Sequence, residues 1–271
     1  GNIVNKKVTL SLTLAALVVL ASCAKSSTGR NQITLFSSSE LDKMGASSFA
    51  QMKEKEKINT DQAVNNYVQC VAKAITVNVP KSAHNGEWEV VVFDSEQVNA
   101  FALPGGKIGV YTGILKVAET QDQLGAIIGH EVGHVIESHS NERMSSNKLS
   151  QTTSAVFDTV LSAGNVEHRE LLISGFGVLA KYGVLMPYGR AHESEADIVG
   201  QDLMAKSGFE PSAAIDLWLN MAKLSNGSPP EFMSTHPSNK TRINQLTEHL
   251  SKSQSYYQAS KAPNCKKPKN I

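Results

Sequence analysis

The sequence has almost no net charge, few cysteines, no long apolar run and none of the Ser, Cys or Asp nucleophile motifs of the common hydrolases. Each lack removes a class of function. Lys+Arg number 26 against 25 Asp+Glu, a formal charge of +1, so no global field recruits nucleic acid or an anionic membrane. The basic end (Lys261, Lys266, Lys267, Lys269) reads as a short solvated run. The longest apolar stretch, residues 8–21, is broken only by Thr and Ser and falls short of the ~20 residues that span a bilayer. No internal repeat is present in the sequence, so no tetratricopeptide-like partner module is expected within it.

What is present begins with targeting. Lys6 and Lys7 precede the apolar stretch, and Leu20-Ala21-Ser22-Cys23 closes it: a charged region, an apolar region and small residues before a cysteine. The arrangement resembles a bacterial lipobox. Residues 1–22 are therefore expected to be a lipoprotein signal peptide, Cys23 the lipidated residue, and the Ser/Thr-rich stretch 23–39 a tether or arm. By resemblance to Gram-negative lipoproteins, Ala24 implies periplasmic residence at the outer membrane, with lipid as the only membrane contact. That compartment is oxidising, and the two remaining cysteines, Cys70 and Cys265, form an even pair expected to be joined. The bond would pin the C-terminal tail, residues 253–271, to an early helix.

Between them the apolar spacing predicts two helices over 40–79. The β region follows at 87–93, 98–103 and 107–111, with Pro104-Gly105-Gly106 as a hairpin turn. Thr120, with Gln123 three residues on, opens a helix expected to reach about His139. Residues 141–182 read as helical, with a break at Gly164-Asn165. A helix over about 191–207 stops at Gly208, and Pro211 starts another to about 224. A loop over 225–236 and a last helix over 238–251 complete one domain, residues 40–252. The expected fold class is α+β, mostly helical, with a small antiparallel sheet.

His130-Glu131-Val132-Gly133-His134 is an HExxH pattern on the capped helix. Spacing of four puts both imidazoles on one face, about a turn apart, where they can share one Zn²⁺. Glu131 lies ~100° round, beside the metal rather than on it, where a carboxylate can take a proton from water. A catalytic zinc needs a third protein ligand and an open position. Glu137 is two turns from His130, about 10 Å along the axis, and cannot close the triangle. The second helix offers Glu193 and Glu195, ~200° apart, so only one faces the metal. Asp197 shares a face with Glu193, which suits a zinc ligand and a carboxylate supporting a ligand imidazole. Glu193 is thus the expected third ligand, with Glu195 a solvated or structural acid. His84, His139, His168, His192 and His249 lack ligand geometry with the motif and read as surface or structural residues. Gly125, Gly129 and Gly133 form a stripe that admits a closely packed neighbour.

HEVGH followed by Arg190-x-x-Glu193-x-x-Ala196-Asp197 resembles the gluzincin family of the CAAX prenyl protease and the heat-shock protease HtpX, and within it the soluble periplasmic lipoprotein members. The resemblance runs from about residue 99 to 242. It implies zinc held by His130, His134 and Glu193, Glu131 as general base, and Asp197 in support. It also implies that Asn99-Ala100-Phe101-Ala102, within 99–106, is an edge strand that holds substrate backbone by strand addition. His236-Pro237-x4-Arg242 matches a further family pattern, with two readings. The pair stabilises the oxyanion, or His236 takes the fourth zinc position and keeps the enzyme latent. The function so implied is zinc-dependent endoproteolysis of misfolded or misassembled envelope proteins. The rivals are a largely latent protease serving as chaperone or assembly factor beside the outer-membrane assembly machinery, and a narrow metallo-aminopeptidase.

Overall fold

A computed structural model describes residues 23–161, 179–224 and 229–271. The expected signal segment, the Gly164-Asn165 break and His168 lie outside the described residues. The stretch read as a tether is ordered: β1 (Cys23–Lys25) and β2 (Asn31–Ile33) pair antiparallel as a ribbon. Its turn closes through Gly29, whose φ of 86° is open to glycine without strain. The first long helix, α1 (Ser38–Lys55), starts at a capping box in which Ser37 Oγ accepts from Glu40 N and Glu40 accepts from Ser37 N. Asp61 caps α2 (Gln62–Thr76), whose Val64, Val68, Val71 and Ile75 face inward at helical spacing.

The sheet comprises β3 (Glu89–Phe93), β4 (Ala100–Leu103) and β5 (Lys107–Tyr111), in the order β3-β5-β4. It is mixed, not wholly antiparallel: β4 pairs antiparallel with β5, but β3 runs parallel to β5. The cause is chain routing. After β3 the chain crosses to lay β4 at the outer edge, and the tight turn at Gly105 and Gly106, both at positive φ, returns β5 to the middle. β4 is thereby left as an edge strand. One face of the sheet carries the aromatic cluster of Phe49, Phe93, Phe101 and Tyr111; the other joins the main core.

A short 3₁₀ turn at Thr112–Lys116 leads to the central helix α3 (Gln121–Ile136), buried on nearly every side from Gln123 to His134. Thr120 caps it, and Gln123 reaches back to Glu119 N at 2.7 Å. The helix ends three residues before the expected His139. Ser138 takes a positive φ of 55°, and α4 (His139–Leu161) departs in a new direction. A π turn at Lys181–Leu185 precedes α5 (Arg190–Lys206) and α6 (Ala213–Lys223). Part of the expected 225–236 loop is a short helix, α7 (Glu231–Thr235). The last helix, α8 (Lys240–Gln258), runs past residue 251 because Ser253 bonds Gln201 and Asp202 of α5, and Lys206 lies over Tyr256. Among the described residues no helix is long and apolar enough to cross a membrane.

The glycine stripe lies against α5. A Cβ at Gly129 would stand 2.9 Å from the Gly200 carbonyl oxygen, and one at Gly133 3.1 Å from that of Ala196. At the far end Cys265 is bonded to Cys70 of α2. The basic end is not uniformly solvated. Lys267 donates to the carbonyls of Leu115 and Ala118 (2.8 and 3.1 Å), capping the 3₁₀ turn.

Candidate metal centre

Close contact of α3 with α5 brings the separated motifs together. His130 Nε2 and His134 Nε2 are 3.1 Å apart. Glu193, one turn into α5, sets Oε1 3.3 Å from His134 Nε2 and Oε2 3.4 Å from His130 Nε2. His236, just past α7, completes the cluster: its Nδ1 is 3.2 Å from His130 Nε2 and 2.9 Å from Glu193 Oε1. All four residues are buried, and one donor atom of each lies within 4.8 Å of the others. Tetrahedral zinc with bonds of about 2.0–2.1 Å sets neighbouring donors ~3.3–3.4 Å apart. The short separations, 2.9–3.4 Å, are near those of such a cage, and the donor set, imidazoles with one carboxylate, suits zinc.

Glu131 stands beside the cage. Its Oε1 is 3.1 Å from His236 Nε2. Burial pushes its pKa above the ordinary carboxylate value, with His236, His130 and the Ala102 N–H working against that shift. His236 is clamped between Phe232 (4.5 Å between ring centroids, 28° between planes) and Tyr188 (5.5 Å, 27°). Tyr188 also stacks on His134 at 3.9 Å, and its N–H donates to the Thr235 carbonyl. Sequence reasoning passed over Tyr188 and Phe232, because no motif spacing ties an isolated aromatic to a site.

The supporting carboxylates fall on two sides. Asp197 Oδ1 lies 3.0 Å from His130 Nδ1. Arg242, expected at the oxyanion, is placed differently. It is buried, grips Asp197 through Nε and Nη2 (2.6 and 2.7 Å), meets Glu193 Oε2 at 2.7 Å and donates to the Pro237 carbonyl. Its guanidinium lies 4.1 Å from the Trp218 ring centroid. With its donors so engaged, it orients Asp197 and Glu193 in this conformation. Glu195 points away from the cage, as the helical wheel requires, but it is buried and bonds His139 at 2.8 Å. His139 meets His134 Nδ1 at 2.8 Å, so it is structural and adjoins a ligand. His192 pairs with Glu142, His249 with Asp202, and His84 lies against Trp88.

On β4, Tyr111 N donates to the Asn99 carbonyl, so by alternation Phe101 and Leu103 also face β5. The outward N–H of Ala100 is taken by the Asn99 side chain (2.9 Å). The Phe101 ring sits on the aromatic face, over Gly109. The Phe232 N–H of α7 donates to the Val98 carbonyl at 2.9 Å, just ahead of the edge strand. A cleft of about 490 Å³ opens beside His134, walled by the ribbon, the Pro104 turn and the α3–α4 junction.

The family profile described as peptidase family M48 matches residues 60–250. The chain is 38% identical over 170 residues (62% of this chain, 48% of the relative) to mitochondrial metalloendopeptidase OMA1 of Schizosaccharomyces pombe. It is 31% identical over 160 residues (59% and 62%) to metalloprotease LoiP of Escherichia coli. To the β-barrel assembly-enhancing protease of Yersinia pestis it is 23% identical over 226 residues (79% and 46%). The matched part spans about half the length of these curated relatives. A family profile that matches residues 60–250, well over half of the sequence, makes this chain a member of peptidase family M48.

Proposed function

We propose that the protein is a lipid-anchored endopeptidase of the Gram-negative envelope that cuts unfolded or misassembled proteins and is latent at rest. The observation that carries this reading is His236, which fills the fourth corner of the cage while its own helix holds the carbonyl of Val98. Residues 1–22 would serve as the signal and Cys23 as the lipid attachment point, with the protein facing the periplasm from the outer membrane. A relative named for β-barrel assembly supports that setting.

His130, His134 and Glu193 would hold the zinc, which would supply Lewis acidity toward the scissile carbonyl and the attacking water. Glu131 is the general base and then the acid toward the leaving amine, since it adjoins the cage without forming a corner. Asp197 and Arg242 keep His130 and Glu193 in register. Substrate adds along Asn99–Ala102 as an extended strand, replacing Phe232 at the Val98 carbonyl and lifting α7 with His236. His236, once displaced, is free to face the oxyanion. A backbone-reading edge suits unfolded chains, because main-chain hydrogen bonds select for extension and not for sequence.

A second reading, favoured by the same corner-filling His236, is an outer-membrane assembly factor whose protease is dormant. Incubating zinc-loaded wild type, Glu131→Gln and His236→Ala with an unfolded outer-membrane protein, then mapping cuts by mass spectrometry, separates the cases. Internal cuts that increase in His236→Ala and vanish in Glu131→Gln are expected. Cuts confined to the substrate's N-terminus favour the aminopeptidase. An inert His236→Ala that still suppresses aggregation favours the assembly factor.

A further inference from the structure

The zinc ligand His134 has a line of partners that ends in the N-terminal ribbon. Its Nε2 faces the cage and its Nδ1 lies 2.8 Å from His139 Nδ1. His139 is fully buried, and its Nε2 lies 2.8 Å from Glu195 Oε2. A carboxylate only accepts, so the proton of neutral His139 sits on Nε2 and its Nδ1 accepts from His134. That arrangement leaves the His134 Nε2 lone pair aimed at the metal, the tautomer that coordination requires.

Glu195 would be an unbalanced buried charge without the ribbon. Arg30 Nη2 and Nε reach its Oε2 at 2.9 and 3.2 Å, and Thr28 Oγ1 donates to its Oε1. The same guanidinium binds Glu142 of α4 at 2.6 and 2.7 Å. Ser27 N donates to Glu137 at 2.9 Å, and Gln32 Nε2 to the Glu137 carbonyl at 2.6 Å. The turn that presents these groups is itself built, with Ser26 and Arg30 bonded backbone to backbone and Arg30 N bonded to Ser26 Oγ. Each zinc imidazole thus has its own outer carboxylate on α5: Asp197 for His130 and Glu195 for His134. Only the second needs residues from outside the helical core.

We infer that Arg30 and Thr28 are positioning residues of the zinc centre, acting through Glu195 and His139 to hold His134 in its ligating tautomer and orientation. The ribbon at 23–33 is then a working part of the metal site. Outer partners of this kind are worth about 10- to 100-fold in metal affinity.

Chelator competition on the whole chain tests this. Arg30→Ala and Thr28→Val are expected to weaken zinc binding about 10-fold or more, with Arg30→Lys recovering part of the loss because it keeps the charge without the fork. The cobalt(II)-substituted protein gives a readout that a purely structural role does not move. Its visible ligand-field bands should shift in the same direction in Arg30→Ala and Glu195→Gln. In the Glu195→Gln background, Arg30→Ala should add little further. Thr28→Val removes one hydrogen bond at nearly constant shape and stands if Arg30→Ala does not fold. Zinc affinity within twofold of wild type with unmoved cobalt bands, or additive losses in the double variant, overturns the inference.

Discussion

At the scale of the residue, neighbouring carboxylates divide by the direction in which each points. Glu193 faces the cage and Glu195 faces the ribbon, two residues on and on the other side of α5. Glu193→Ala removes a ligand and is expected to abolish stoichiometric zinc, whereas Glu195→Ala removes only an outer partner and should cost about 10- to 100-fold in affinity. Metal analysis after dialysis checks the order, and the reverse order contradicts it. Glu131→Gln should keep zinc and lose cleavage by at least about 10²-fold, because Glu131, the proposed base, is not a corner of the cage; retained turnover removes that role. The HExxH spacing made His130, Glu131 and His134 legible, and a helical wheel added Glu193 and Asp197. His139 was out of reach for a physical reason. Its place depends on the positive φ of Ser138, which turns α4 back beneath His134, and nothing in the spacing signals that turn. Arg242 was found, but its pairing with Asp197 and Glu193 was not legible, because sequence shows that an arginine is near and not which of its neighbours hold its donors.

At the scale of the element, the α3–α5 contact sets the cage, and glycine sets the contact. A Cβ at Gly200 would stand 2.8 Å from His130 N and Cα and 2.9 Å from Gly129 C. All three are backbone atoms that cannot rotate aside, so the helices must part. Gly200→Ala should cost ~1–3 kcal/mol by overpacking and should weaken zinc, because Glu193 lies on one helix and His130 and His134 on the other. Denaturant midpoints with and without zinc measure both effects; an unchanged zinc-dependent shift refutes the second. The ribbon's hold on α4 carries a pH dependence. Burial alone would raise the Glu142 carboxyl, but hydrogen bonds from His192 and Arg30 outweigh it and pull its pKa down to about 2 from the ordinary 4.5. A depressed carboxylate stabilises the folded form above its unfolded pKa and loses that contribution as pH falls through its folded one. Docking of the ribbon is therefore expected to persist to about pH 4 and to fail between there and about pH 2. The bonded chemical shifts of the Arg30 Nη–H groups that donate to Glu142 report it, and loss above pH 5 contradicts the assignment. Long periodic helices and the hairpin were legible, since their patterns are local. The parallel β3–β5 pairing and the short α7 were not, because one is a non-local choice and the other is held by Val98, Trp218 and Tyr188 more than by its own propensity.

At the scale of the whole molecule, the C-terminal tail acts as a strap. It leaves α8, passes so close to the Gly208 turn that a Cβ there would collide with the Lys261 backbone, and ends with Lys267 capping the turn ahead of α3. Gln121 at the start of α3 holds the strap from both sides, donating to the Pro263 carbonyl at 2.8 Å and accepting from Cys265 N at 2.9 Å. The Cys70–Cys265 bond closes a loop with a sequence separation of 195 residues. For loops that long the chain-entropy estimate is about 5 kcal/mol, an upper figure since unfolded chains retain structure. Most of a domain's net stability is of that order. Cys70→Ala/Cys265→Ala is therefore expected to lower the unfolding free energy by about 2–5 kcal/mol in urea, with Gln121→Ala adding ~1 kcal/mol by freeing the strap further. Wild type under reducing conditions should match the double variant. An unchanged midpoint in both would mean that the strap is held by its hydrogen bonds alone, leaving the disulfide no share in stability.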